Sequence, residues 1–389
     1  MGIIAMARDN YFILGGVDSR DYDMIVSCED AFTMPERDVD VFEIPGRNGD
    51  LIVDNGRFRN VDITYQVVIE NGFAEKINAF KQALGKLRGY ARLEDTFDFD
   101  AYRMANVKNV KIEELGMRYN GGTFEIKVNC KPQKYLKSGE NELPVWFLNV
   151  SNSTMHSGNF KFDGYIDRAM TITMHCPTGV SVTVECNSMD DSEAIVSTHT
   201  YTCGNEESAV LEFYPTARYG NIILSASDVS GVSATLDCML VRGADPDDKT
   251  QYSVPMVSEL TLSNPTGYAT KPLFEFSGFA ATDISIVNYV DGQISETYRV
   301  MCLDNVPGTI VMFSKAFLDC DLMYMHDGSG GNLASYLRVI SATDRTGRNL
   351  VFPEFGTDTI KIRSVSTLHS GYSPEWLPVM YITPRWWTV

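Results

Sequence analysis

Glu43-Ile44-Pro45-Gly46-Arg47-Asn48-Gly49-Asp50-Leu51 is the stretch around which the chain is organised. Pro45 fixes one φ angle, and Gly46 and Gly49 tolerate positive φ, so the segment predicts a tight, well-defined turn. Before it, Val39-Asp40-Val41-Phe42-Glu43-Ile44 alternates apolar and polar residues, as a half-buried strand does. After it, Val61-Asp62-Ile63-Thr64-Tyr65-Gln66-Val67-Val68-Ile69 alternates again. Arg47 and Asp50 stand at the tip, where opposite charges can reach a neighbouring surface. On the residues alone, two readings stay open: an ordinary hairpin loop with solvated charges, and a contact site.

The 389 residues exceed what one ordinary core organises, so two or three domains are expected. The apolar share of 44% suits a soluble globular protein. No run reaches the roughly 18 consecutive apolar residues of a membrane span. Met1-Gly2-Ile3-Ile4-Ala5-Met6-Ala7-Arg8 lacks the basic lead-in and long apolar core of a secretory signal. The net charge of −18 argues against specific nucleic-acid binding and against adhesion to anionic membranes. Residues 141–258 carry 5 Lys+Arg against 15 Asp+Glu, a net of −10, which marks the middle of the chain as a separate module.

Eight cysteines are present, none in a Cys-x-x-Cys pair. They fit eight small buried hydrophobes in a reducing cytoplasm. The spacing of Cys176, Cys186, Cys203 and Cys238 leaves a disulfide within that cluster open.

Phe73, Ile77, Phe80, Leu84 and Leu87 step by four, three, four and three, which lays them on one face of a helix over 73–89. Asn71 is the expected cap at its start and Gly89 its end. Glu94-Asp95-Thr96-Phe97-Asp98-Phe99-Asp100 then groups four carboxylates. Paired acids of this kind serve glycoside hydrolysis, and four carboxylates also suit calcium, but the glycine and terminal glutamate of a helix–loop–helix calcium site are missing. A turn between strands accounts for them more simply. Thr123-Phe124-Glu125-Ile126-Lys127-Val128-Asn129-Cys130 is an alternating strand, expected to end at Pro132.

The Ile-Pro-Gly-Arg-Asn-Gly-Asp-Leu turn, an upstream Asp18-Ser19, the downstream helix and a closing strand before Pro132 and Tyr135 resemble the N-terminal domain of the distal tail proteins of long-tailed phages. The resemblance covers roughly residues 10–136. Lys137-Ser138-Gly139-Glu140 is polar, and a first boundary falls there. Residues 145 to about 250 hold short strand-like runs between turn residues and no helical pattern, which predicts an all-β sandwich. Their end, Leu236-Asp237-Cys238-Met239-Leu240-Val241-Arg242-Gly243, is similar to the last strand of carbohydrate-binding-like sandwiches inserted into phage tail proteins. Leu260-Thr261-Leu262-Ser263-Asn264-Pro265 and the final Thr383-Pro384-Arg385-Trp386-Trp387 resemble the galectin-like C-terminal domain of distal tail proteins. The chain therefore reads as mainly β in three parts: 1–138 with one amphipathic helix, an inserted sandwich over 145–254, and a galectin-like sandwich over 255–389. Shorter members of the family lack the insert.

His156, His175, His199, His326 and His369 show no metal-ligand spacing. No Gly-x-Ser-x-Gly elbow or Gly-Lys phosphate loop occurs. His326-Asp327-Gly328-Ser329-Gly330-Gly331 reads as a flexible loop and not a triad, because triads assemble across a fold. Asp190-Asp191 with Glu193 reads as a solvated turn before it reads as a calcium site. No enzyme activity, metal or cofactor is expected. Sugar binding needs exposed aromatic rings beside amides or carboxylates, and Trp146, Tyr201, Tyr214, Tyr219 and Trp376 are the candidates.

The resemblance implies a virion tail component assembled in the host cytoplasm. It implies N-terminal domains side by side in a homohexameric ring, joining the tail tube protein to the tail-tip hub. An acidic lumen would let DNA slide without sticking. Ile44, Pro45, Gly46, Arg47, Asn48, Gly49 and Asp50 are the inter-subunit contact candidates, with Arg47 as the charged partner. Host cell-wall polysaccharide is the ligand expected of a sugar-binding insert; the alternative is a free-standing carbohydrate-binding protein without a ring.

Overall fold

The computed structural model describes residues 9–46, 48–118, 120–151, 153–157, 160–161, 169–176, 178–204, 208–227, 232–239, 251–277, 282–302, 315–327, 331–333, 337–341, 352–367 and 379–389. They are mainly β, with one α-helix. The chain divides into two units, Met1–Gly139 with Trp386–Val389, and Glu140–Arg385.

In the first unit a nine-stranded sheet forms around the 16-residue strand Gly121–Leu136. That strand pairs with Val61–Ile69 on one edge, and with Ala101–Asn106 and Lys111–Arg118 on the other. It runs through Pro132 instead of ending there. Proline has no N–H for a ladder, and the register against Ala101–Asn106 shifts between Cys130 and Lys134, where that loss is tolerated. Near its end the strand takes up Trp387–Thr388 of the C-terminus.

The helix Phe73–Leu84 lays Phe73, Ile77 and Phe80 into the core of this sheet. Phe80 meets Phe12 and Tyr22 edge-on, with centroids 6.1 and 5.3 Å apart. The helix ends five residues before the expected Gly89. The Gly85 N–H still reaches the Lys81 carbonyl, but those of Lys86 and Leu87 reach back only three residues, to Ala83 and Leu84. Leu87 nevertheless keeps its place against the core. Asn71 does not cap the start; Gly72 does, at φ 71°, and its N–H is taken by the side chain of Asn120.

The second unit holds three sheets and, among the described residues, no α-helix. One six-stranded sheet contains Ser181–Met189, Ile195–Gly204 and Tyr219–Ala226. It packs through Val182, Val184, Cys186, Ile222 and Leu224 onto Met170, Ile172, Leu211, Phe213 and Leu236 of a nine-stranded sheet. A disulfide joins Cys176 to Cys203 across these two layers, with Cα atoms 6.6 Å apart. The cysteines described as free are Cys28, Cys130, Cys186 and Cys320, all buried except the half-buried Cys28.

The strand Leu143–Phe147 binds this sandwich to the last part of the chain. It pairs parallel with Gln251–Val257 and antiparallel with Met380–Thr383, so one sheet runs through both regions. Glu259–Ser263, Thr282–Val290, Gln293–Cys302, Leu337–Ser341 and Thr359–Thr367 form the third, five-stranded sheet.

Candidate functional site

The organising turn connects Arg37–Phe42 to Leu51–Phe58, and these two strands make a sheet of their own. The partner across the turn is thus Leu51–Phe58. The expected flank Val61–Ile69 instead lies in the main sheet, where its alternate residues are buried. Gly46 and Gly49 take φ values of 82° and 85°, the left-handed region that the turn requires and that glycine enters without a steric cost.

Register defines what each face of the ribbon carries. Val39 faces Asp54 and Val41 faces Ile52 on one side; Asp40 faces Val53 and Phe42 faces Leu51 on the other. Each face therefore bears three apolar side chains and one aspartate. Most of these apolar groups are in water: Val41 is 55% exposed, Phe42 53% and Ile52 63%. A half-buried strand hides one face, and this ribbon hides neither. Leu51-Ile52-Val53 is the signal that sequence reading passes over, because three consecutive apolar residues necessarily populate both faces.

The base of the ribbon is clamped. Asp38 is buried and accepts from Arg57 Nε at 2.6 Å and from Arg59 Nε at 3.0 Å. The Arg57 guanidinium first, and Arg59 second, hold the Asp38 carboxyl below the ordinary carboxylate range. Arg37 lies over the Phe58 ring, 4.3 Å from its centroid. At this clamp the register slips, between Arg37 and Val39 on one strand and around Gly56, with φ 73°, on the other. The two strands are tied to each other at their open end and bare along the rest of their length.

Of the tip residues, Ile44, Pro45, Gly46, Asn48, Gly49 and Asp50 are exposed; Arg47 lies outside the described residues.

Three of the four carboxylates of 94–100, Glu94, Asp95 and Asp98, are engaged in holding the fold. Asp95 accepts from the Tyr65 hydroxyl at 2.6 Å and from the N–H groups of Phe97 and Asp98. Burial, and then Asp95, push the Tyr65 hydroxyl well above its ordinary value. Asp98 pairs with Lys134 at 2.6 Å, and Glu94 with Arg92 and Lys137. The Asp190 carboxylate is likewise occupied by its own loop, accepting from Ser192 and Ala194.

The sugar-binding candidates separate. Trp146 is fully buried in the core of the second unit and offers no ring face to a ligand. The uninterrupted apolar run Val145-Trp146-Phe147 carries that information, since it belongs to a strand covered on both faces. Tyr219 is half-buried beneath the Arg218 guanidinium. Tyr201 and Tyr214 are 47% and 48% exposed. Trp376 lies outside the described residues, as do Leu240 to Gly243.

No family model matches the sequence, and no curated protein matches it. Among solved structures, the chain is similar to the Dit (gp 19.1) protein of phage SPP1, described as a paradigm of the hub adsorption apparatus of phages infecting Gram-positive hosts. The identity is 12% and the TM-score 0.29, over 56% of this chain and 98% of that one. It is also similar to chains of the phage P2 baseplate in its activated conformation. With Ca the identity is 8% and the TM-score 0.25, and with Sr they are 11% and 0.25; each covers 58% of this chain and 83% of that one.

Proposed function

We propose that this chain is a structural protein of a phage tail tip, a distal tail protein whose first units join side by side through the ribbon of residues 37–58. The observation that carries this reading is a two-stranded sheet, unpaired with any other described strand and apolar on both faces. An isolated hairpin is marginal in water, and contiguous apolar surface of this kind marks an interaction site. Fully covering one such side chain contributes about 1.5–3 kcal/mol. Covering both faces requires two surfaces, as when an arm lies between neighbouring copies. The resemblance of Ile44 to Leu51 to the distal tail turn supplies the rest: a six-fold ring between the tail tube protein and the tail-tip hub.

In this reading the work of the protein is assembly and DNA passage, with no chemical step. Negative-stain microscopy of the full-length protein tests it. Rings with an open lumen are expected from the native chain, and none from Arg47→Glu with its melting temperature unchanged. Intact rings in that variant would remove Arg47 from the contact.

A second reading, host-glycan binding by the middle region, is favoured by the exposed rings of Tyr201 and Tyr214. A glycan array probed with the native chain and with Tyr201→Ala/Tyr214→Ala is its test. Silence of both, or equal signals from both, would end it.

A further inference from the structure

The strand Ile195–Gly204 is the outermost of its sheet. One edge pairs with Ser181–Met189 from Ser181↔Gly204 to Met189↔Ile195, and the other pairs with no described strand. Its sequence, Ile-Val-Ser-Thr-His-Thr-Tyr-Thr-Cys-Gly, contains no Lys, Arg, Asp, Glu or Pro. Soluble proteins blunt a long edge with charge, proline, a bulge or a cover, because a bare edge pairs with other chains. Here the register shift falls only at Val196, near the start of the strand, and seven of the ten residues are exposed. Cross-strand side chains support the ladder on its inner edge: Thr198 donates to Asn187, and Thr183 and Thr202 share a hydrogen bond. The Cys176–Cys203 disulfide ties the far end of the strand to the facing sheet.

The face beside this edge is open at Tyr201 and His199, while Ser197 nearer the turn meets Thr216. Tyr201 stands opposite buried Val184, and His199 opposite buried Cys186, so both continue the core side of the sheet beyond the core.

We propose that this edge receives an extended segment of a partner polypeptide by strand addition. The segment is uncharged and β-branched across its middle, with Lys or Arg at its ends. The charges around the edge select it. Asp190 and Asp191 are exposed and Glu193 is half-buried at the neighbouring turn, Glu185 lies opposite Thr200, and the chain as a whole carries a net −18. A second copy of this chain would set one acidic body against another, so the occupant is a different, basic-ended chain.

The test is hydrogen exchange of the full-length protein with a peptide of alternating Thr and Val, Lys pairs at both ends, and alternate N-methylation to stop self-pairing. Alternate amides within 195–204 should slow about tenfold at saturation, and the same peptide with Glu ends should bind about tenfold more weakly. Thr200→Pro, and independently the milder Thr200→Lys, should remove the protection while Tyr219–Ala226 exchanges as before. No slowing at roughly 1 mM peptide, or equal binding of the Lys-ended and Glu-ended peptides, would overturn the proposal. So would a cell-wall polysaccharide preparation that shields Tyr201 in a protein whose 195–204 amides ignore the peptide.

Discussion

Val41 stands directly opposite Ile52 in the ribbon of residues 37–58, and both side chains are more than half in water. The pair is cross-strand and apolar, yet the described residues of the unit leave it mostly in water. A charge at either position therefore costs the fold little and costs an interface much. Ile52→Asp and Val41→Asp are expected to leave stability within about 0.5 kcal/mol of the native chain, the usual range for exposed sites. Assembly should be lost. Urea unfolding and sedimentation velocity on the same samples separate the two effects.

Asp38 gives the ribbon a pH dependence whose sign is fixed. Its folded carboxyl titrates below the ordinary value because Arg57 and Arg59 donate to the ionised form. The stabilisation is therefore present above the unfolded value, about 3.9, and is lost as pH falls through the lower folded value. Amides of 37–58 should be equally protected at pH 7 and pH 5, and should begin to exchange faster, after correction for intrinsic rates, below about pH 4. Asp38→Ala should show the looser ribbon at every pH, with Val61–Ile69 unaffected. A ribbon insensitive to both changes would show that its root is held by something other than the clamp.

Phe80 is fully buried between Phe12 and Tyr22 on the helix that backs the first sheet. Phe80→Ala should cost about 3–5 kcal/mol in denaturant unfolding of the first unit. A loss well under 1 kcal/mol would mean the site collapses around the gap.

The disulfide joins residues 27 apart in sequence. Loop-closure entropy alone gives a contribution of roughly 3.5 kcal/mol, so reduction should lower the melting of the second unit and leave the first unchanged. Burial pushes the Cys186 thiol up to about 12 and the Cys130 thiol likewise, so alkylation of the native protein at neutral pH should spare both. Mass mapping with a glutamate-specific protease, which cuts after Glu185 and Glu193, should recover Cys176 and Cys203 as one linked species after alkylation without reductant.

Local pattern carried much of this fold into view. Phe73, Ile77 and Phe80 announce the helix by their spacing, and Thr123 to Cys130 announce a strand by alternation, because one side of each must face a core. Pairing over long separations is different. The union of Leu143–Phe147 with both Gln251–Val257 and Met380–Thr383 depends on residues more than a hundred positions away, and no local period encodes it. The turn at Pro45 and Gly46 was legible as a turn, but its partner strand was not, since Leu51-Ile52-Val53 breaks alternation by being apolar on both sides. Trp146 shows the converse: a ring suited to sugar stacking is also suited to a core, and its apolar neighbours decide which.

The most direct test of the central claim is the mass of the full-length protein in solution, by light scattering behind a sizing column, beside that of Ile52→Asp. An assembly of six copies is expected for the native chain and a folded monomer for the variant. A native chain that stays monomeric at every concentration, or a variant that assembles as the native chain does, would contradict it.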